Sequence, residues 1–169
     1  MRKEEFENFL FRYRGQIPVI GFLVFLCISL LFEFQIVSIN IHTLRTIALF
    51  IIFLGFFSRC FTVGYAAPHS SGRNRNMQVA HQLNTLGAYS MVQHPLYFSN
   101  SLLWVGTGLI SNQWGLFSGS LCLIWLLYRP LIRRETLFLT QTFGSEYKEW
   151  KNLTPVFFPN PFQYIKPKT

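Results

Sequence analysis

Apolar and polar positions fall in long blocks along this chain. Residues 16–32, QIPVIGFLVFLCISLLF, carry no charge. That length is near the lower limit for a helix crossing a bilayer. The basic flank before it also fits a signal peptide, but no small-residue cleavage site follows, only Phe32, Glu33 and Phe34. The pattern therefore predicts an uncleaved span. Residues 43–63, TLRTIALFIIFLGFFSRCFTV, predict a second span, with Arg45 and Arg59 placed to snorkel at its two ends. Residues 96–128 form a third apolar stretch, interrupted at Ser111, Asn112 and Gln113, then Trp114 and Gly115. Two helices joined by a tight turn fit it, with Pro130 ending the second.

The intervening segments are polar or amphipathic. In residues 1–15, Phe6, Phe9, Leu10 and Tyr13 recur at three- and four-residue spacing, which predicts a short helix on the membrane surface. Residues 64–86 read as a loop that passes into a short helix or an extended stretch from Met77 to Leu86. From Leu131 apolar positions interleave with Arg133, Arg134, Glu135 and Gln141 until Gly144, and Glu146–Leu153 adds further helical turns. The tail PVFFPNPFQYIKPKT is aromatic and proline-rich and is expected to lie along the interface. The predicted fold is all-α: an integral membrane bundle of about four spanning helices plus a cytoplasmic C-terminal amphipathic helix. It forms one domain over 1–169, with 1–63 as the N-terminal part and 64–169 as the core.

Composition supports this reading. Half of the residues are hydrophobic and only 13% are charged, against about 25% charged in soluble domains. A net charge of +8 raises the question of nucleic acid, but the basic residues flank the apolar blocks, as membrane topology requires. With four spans and a cytoplasmic N-terminus, every Lys and Arg except Arg45 falls on the cytoplasmic side. Both termini are then cytoplasmic. Cys27, Cys60 and Cys122 have no metal-ligand or disulfide spacing and are expected to be packing residues buried in the membrane.

The candidate chemistry lies in His81–Tyr97, HQLNTLGAYSMVQHPLY, a polar island between apolar blocks. Such islands persist in membrane proteins where they face water or line a cavity. Pro95 suits the first turn of a helix, which puts His94 at its cap beside free helix N–H groups. A cap at a membrane-surface helix start accounts equally for His94 and Pro95. Glu135 fits either a surface pair with Arg133 or Arg134 or a carboxylate that neutralises a cationic ligand. Tyr89 and Tyr97 suit interfacial anchoring.

Together, the Gly-x-Tyr segment, His94-Pro95-x-Tyr97, the helical hairpin, Glu135 and Phe143-Gly144-x-Glu146-Tyr147 resemble the isoprenylcysteine carboxyl methyltransferase and phospholipid methyltransferase group, over roughly residues 70–160. The resemblance implies a membrane methyltransferase that uses S-adenosylmethionine. It implies cofactor contacts at His81, Gln82, Leu83, Asn84, Tyr89, His94, Pro95, Leu96, Tyr97 and Glu135. The acceptor would be a membrane lipid or lipidated substrate, methylated on a phosphate or carboxylate oxygen. Arg133 and Arg134 have the geometry to hold such an anion. The run Ser71-Gly72-Arg73-Asn74 is similar to bacterial members, some of which methylate the phosphate of lipid A. Gln93 stands where the group has arginine before His-Pro, and Leu131 where the isoprenylcysteine enzymes place a substrate arginine. Gln93, with a single glutamate at Arg134-Glu135 where the group has a pair, keeps open a non-catalytic lipid-binding relative, and likeness to sterol-type reductases in architecture and C-terminal motif keeps open a membrane reductase. No metal site is expected.

Overall fold

The computed structural model describes residues 3–13, 16–17, 20–21, 23–24, 27, 40–65 and 80–167. Most of the first expected span and most of the 64–86 connection lie outside these residues. The described residues form five α-helices. They are α1 (Lys3–Arg12), α2 (Ile41–Gly64), α3 (Ala88–Met91), α4 (Pro95–Ile110) and α5 (Trp114–Leu153). A 3-10 turn follows at Pro161–Gln163. The all-α prediction holds, and two helices, within α2 and α5, are long and apolar enough to cross a membrane. We read the chain as a membrane protein on that basis; four spans are not established among the described residues.

Helix α2 begins at Asn40, whose side chain accepts from the backbone N–H of His42 and so satisfies one open donor of the first turn. Its outer face is apolar, with Phe50, Phe53, Phe56 and Phe57 all about 60% exposed. A water-facing helix would not hold that many bare phenyl rings, so this face belongs against lipid. Its inner face uses small residues. A Cβ at Gly55 would lie 3.0 Å from the backbone of Leu103, and one at Gly106 only 2.6 Å from Ile52 Cγ1. Helices α2 and α4 therefore pack antiparallel with their backbones close, as small-residue seams allow in membranes. Buried Ser99 adds a hydrogen bond of 2.9 Å to Ser58 across this seam.

The turn between α4 and α5 falls at residues 111–113, as the polar break predicts, with Asn112 at φ 54°. Asparagine tolerates that left-handed conformation better than most residues. Helix α5 then departs from expectation. It does not stop at Pro130 but continues with the proline inside, and a second run of helical turns reaches Leu153 beyond a kink. A proline removes one backbone bond and disfavours the helix locally, yet a helix braced by neighbours accommodates it. Up to Phe143, just before the break, the helix is about 45 Å long at about 1.5 Å per residue, longer than a hydrocarbon core of about 30 Å. Its last turns before the break therefore extend past such a core. The break comes at Gly144, with φ 54° and ψ −117°.

Helix α1 docks against α5 on either side of Pro130. Leu10 and Phe11 are buried with Leu127, Tyr128 and Leu131. The buried edge is thus Leu10–Phe11, while Phe9 and Tyr13 remain exposed, because α1 meets a helix as well as the surface. The cysteines also differ from expectation. Cys27, Cys60 and Cys122 are exposed on the protein surface, outside the packed core.

Candidate functional site

Helix α4 starts at Pro95, and His94 is its N-cap residue. The imidazole makes no capping hydrogen bond. It turns instead toward α5, where its Nδ1 lies 3.5 Å from Glu135 Oε2. The His94 side chain is 3% exposed and that of Glu135 35%. His94 Nε2 is buried without a hydrogen-bond partner. Buried polar atoms almost always find partners, so this nitrogen, across the ring from the one that faces Glu135, stands out. The His94 ring lies 5.7 Å from that of Tyr97, which in turn lies 4.9 Å from Tyr128 on α5.

The segment before His94 is held from the other side. Gln93 is 4% exposed, and its side-chain amide donates to the carbonyls of Lys151, at 2.9 Å, and Thr154, at 2.6 Å. Its backbone N–H donates to the Pro155 carbonyl at 2.8 Å. The Trp150 indole donates to the Tyr89 carbonyl. The far end of α5 and the chain after it thus grip the polar island. Tyr89, in α3, is pushed well above the ordinary tyrosine range, first by burial and then by the charge of Glu135. Its hydroxyl therefore stays protonated through neutral and mildly alkaline conditions.

Of the expected site residues, His94, Tyr97, Tyr89 and Glu135 come together. Pro95 is buried at the helix start, and Leu96 is half-buried beside it. His81 and Gln82 are exposed, while Leu83 and Asn84 are half-buried, on an irregular stretch leading to Gly87. Arg133 is exposed, and the Arg134 guanidinium lies 4.4 Å over the Phe11 ring of α1. Three neighbours were not anticipated. Asn100 accepts from Arg59 of α2, and Tyr128 hydrogen-bonds with Asn100 and Trp104. Asn100 lies six residues after His94, about a third of a turn away from its face of the helix, so no helical spacing in the sequence linked the two. Among the described residues no group of three or more His, Cys, Asp or Glu side chains is arranged to hold a metal ion.

Fold and site together define a membrane protein with a buried imidazole facing a partly exposed carboxylate where α4 begins and meets α5. The chain is similar to the cobalt-zinc-cadmium resistance protein CzcN of Cupriavidus metallidurans (strain ATCC 43123 / DSM 2839 / NBRC 102507 / CH34). The two are 36% identical over 100 residues, covering 58% of this chain and 44% of the relative. It is also similar to the nickel-cobalt-cadmium resistance protein NccN of Alcaligenes xylosoxydans xylosoxydans, at 35% identity over 100 residues with the same coverage. The aligned region spans less than half the length of these relatives. No protein-family model matches the chain.

These findings correct the expected family. The extended likeness is to metal-resistance proteins, and the assignment to the isoprenylcysteine carboxyl methyltransferase and phospholipid methyltransferase group, with its methyl-transfer function, is overturned by it. The physical reason lies in what the resemblance rested on. His-Pro opening a helix and a glutamate after a span are short features that any helix start at a membrane surface reproduces.

Proposed function

We propose that this chain is a membrane-embedded component of a resistance system for divalent transition-metal ions, and that it engages a small ligand at His94 and Glu135. The observation that carries the first part is the 36% identity over 100 residues to a cobalt-zinc-cadmium resistance protein. The open Nε2 of buried His94 supports the second.

Two kinds of ligand suit these residues. A transition-metal ion, as cargo, would meet the single donor Nε2, with Glu135 orienting the ring from Nδ1, and would take its remaining ligands from water or a partner, since no described group of three ligating side chains surrounds it. S-adenosylmethionine also suits them as a bound small molecule, with Glu135 facing its ammonium group and His94 and the open α4 N–H groups facing its carboxylate. In the topology proposed here the chain crosses the membrane four times with both termini cytoplasmic, in a bacterial inner membrane. The site then opens to the cytoplasm, and all Lys and Arg residues but Arg45 lie on that side.

Complementation tests the reading. In a strain lacking the gene, the wild-type chain is expected to restore growth on cobalt, zinc, cadmium or nickel. His94→Ala and Glu135→Gln, present in the membrane at wild-type levels, are expected to restore little of it. Equal tolerance with and without the wild-type chain would overturn the resistance role. Separate calorimetric titrations of zinc chloride and S-adenosylmethionine into the purified full chain identify the ligand. Binding of neither would remove the ligand site.

A further inference from the structure

The chain after α5 combines tight anchoring with unusual exposure. Its backbone is tied to the polar island at several points. Asn160 N–H donates to the Met91 carbonyl at 2.9 Å, Gly87 N–H to the Ile165 carbonyl at 2.9 Å, and Ile165 N–H to Ser90 Oγ at 2.8 Å. With the Gln93 contacts, these fix residues 154–165 as a strap across the His94 segment. Gly87 is suited to the crossing, because its φ of 61° strains any residue with a side chain and a Cβ there would sit tightly, 3.3 Å from Pro167.

The outer side of this fixed strap is apolar. Leu153 is 75% exposed, Phe158 77% and Phe162 98%. Phe162 is no frayed end, since its backbone N–H is held by Asn160 Oδ1. The strap joins the lipid-facing surface of the helices: the Tyr164 ring lies 6.0 Å from Phe61 in the last turns of α2, and Phe157 meets Phe98 of α4 edge-on at 6.0 Å. It therefore lies at the level where α2 ends and α4 begins. A phenyl ring held almost wholly bare there has a bilayer boundary within reach, and aromatic rings favour that boundary.

We propose that residues 153–165 form an interfacial strap that inserts Phe158 and Phe162 into the headgroup–acyl boundary of the bilayer. The partner is the lipid surface itself. Because the strap also grips Gln93, its lipid contact braces the His94 loop from outside. This bracing clause rests on the ligand site proposed above, whereas the insertion does not.

The test uses the full chain with Cys27, Cys60 and Cys122 replaced by serine, reconstituted in phosphatidylethanolamine–phosphatidylglycerol vesicles. Phe158→Cys, Phe162→Cys and, as a water-side control, Glu149→Cys carry nitroxide labels. Each labelled variant must match the unfolding midpoint of the cysteine-free parent. Oxygen is expected to relax the labels at 158 and 162 several-fold more than a water-soluble nickel chelate does, with the reverse at 149. Nickel dominance at 158 and 162 would overturn the proposal. So would dipolar broadening there that disappears on dilution with unlabelled protein, which would make a second copy of the chain the occupant. No ligand enters this assay, so its outcome is independent of the His94 reading.

Discussion

Gln93 shows how a single side chain can change meaning between sequence and structure. In the sequence it is a departure, a glutamine where a charged residue is expected before His-Pro. In the fold it is a buried clamp whose amide closes the end of α5 onto the His94 segment. Replacing it with leucine leaves the carbonyls of Lys151 and Thr154 without this donor. A loss of about 1–3 kcal/mol is expected, from two hydrogen bonds and the desolvated acceptors. Thermal unfolding in detergent checks it: Gln93→Leu should unfold several degrees lower, and Gln93→Glu, which brings a negative charge to two carbonyls, lower still. An unchanged midpoint for Gln93→Leu would mean the clamp carries no weight. His94 itself was legible as a cap next to a proline. Its open Nε2 was not, because that depends on what Tyr97 and α5 place around it.

Among the elements, α2 and α4 were readable from their apolar blocks, and the turn at residues 111–113 from its polar ones. The close approach of the two helices was not, since glycines are common in membrane helices and only the fold shows which of them face a neighbour. Gly106 faces Ile52 and the Ala48 carbonyl, whereas a Cβ at Gly64 would meet nothing within 4 Å. Gly106→Ala is therefore expected to push α2 and α4 apart at a cost of about 1–3 kcal/mol, the usual range for overpacking. Gly64→Ala should leave the thermal midpoint within a degree or two of wild type. Equal effects of the two would mean that α2 and α4 do not meet at this seam. The end of α5 was misjudged for a related reason: Pro130 weakens a helix locally, but α1 packs along this part of α5 and holds it in register.

For the whole molecule, the arrangement places the His94–Glu135 pair, the end of α2 and the strap at one level. The proposed topology puts Arg45 alone among the basic residues on the opposite side. In the cysteine-free background, Arg45→Cys should react with a membrane-impermeant maleimide only from the periplasmic side, and Lys151→Cys only after the cytoplasmic side is opened. Reaction of both from the same side would overturn the antiparallel crossing. Resistance at this scale belongs to whatever system the chain serves, so growth on metal reads the assembly, while calorimetry reads the site.

The sequence by itself determined the all-α character, the apolar blocks, the polar island and the helix start at Pro95. These follow from local composition and from the geometry of proline and of uncharged runs. It also suggested pairing His94 with Glu135, although through a family likeness that the longer comparison replaced. Only the tertiary structure decided that His94 turns to Glu135 with its other nitrogen open, that Arg134 leans on Phe11, that Gln93 is a clamp, and that the tail is a strap. Those outcomes depend on contacts between residues forty or more positions apart, which no local pattern along the chain encodes.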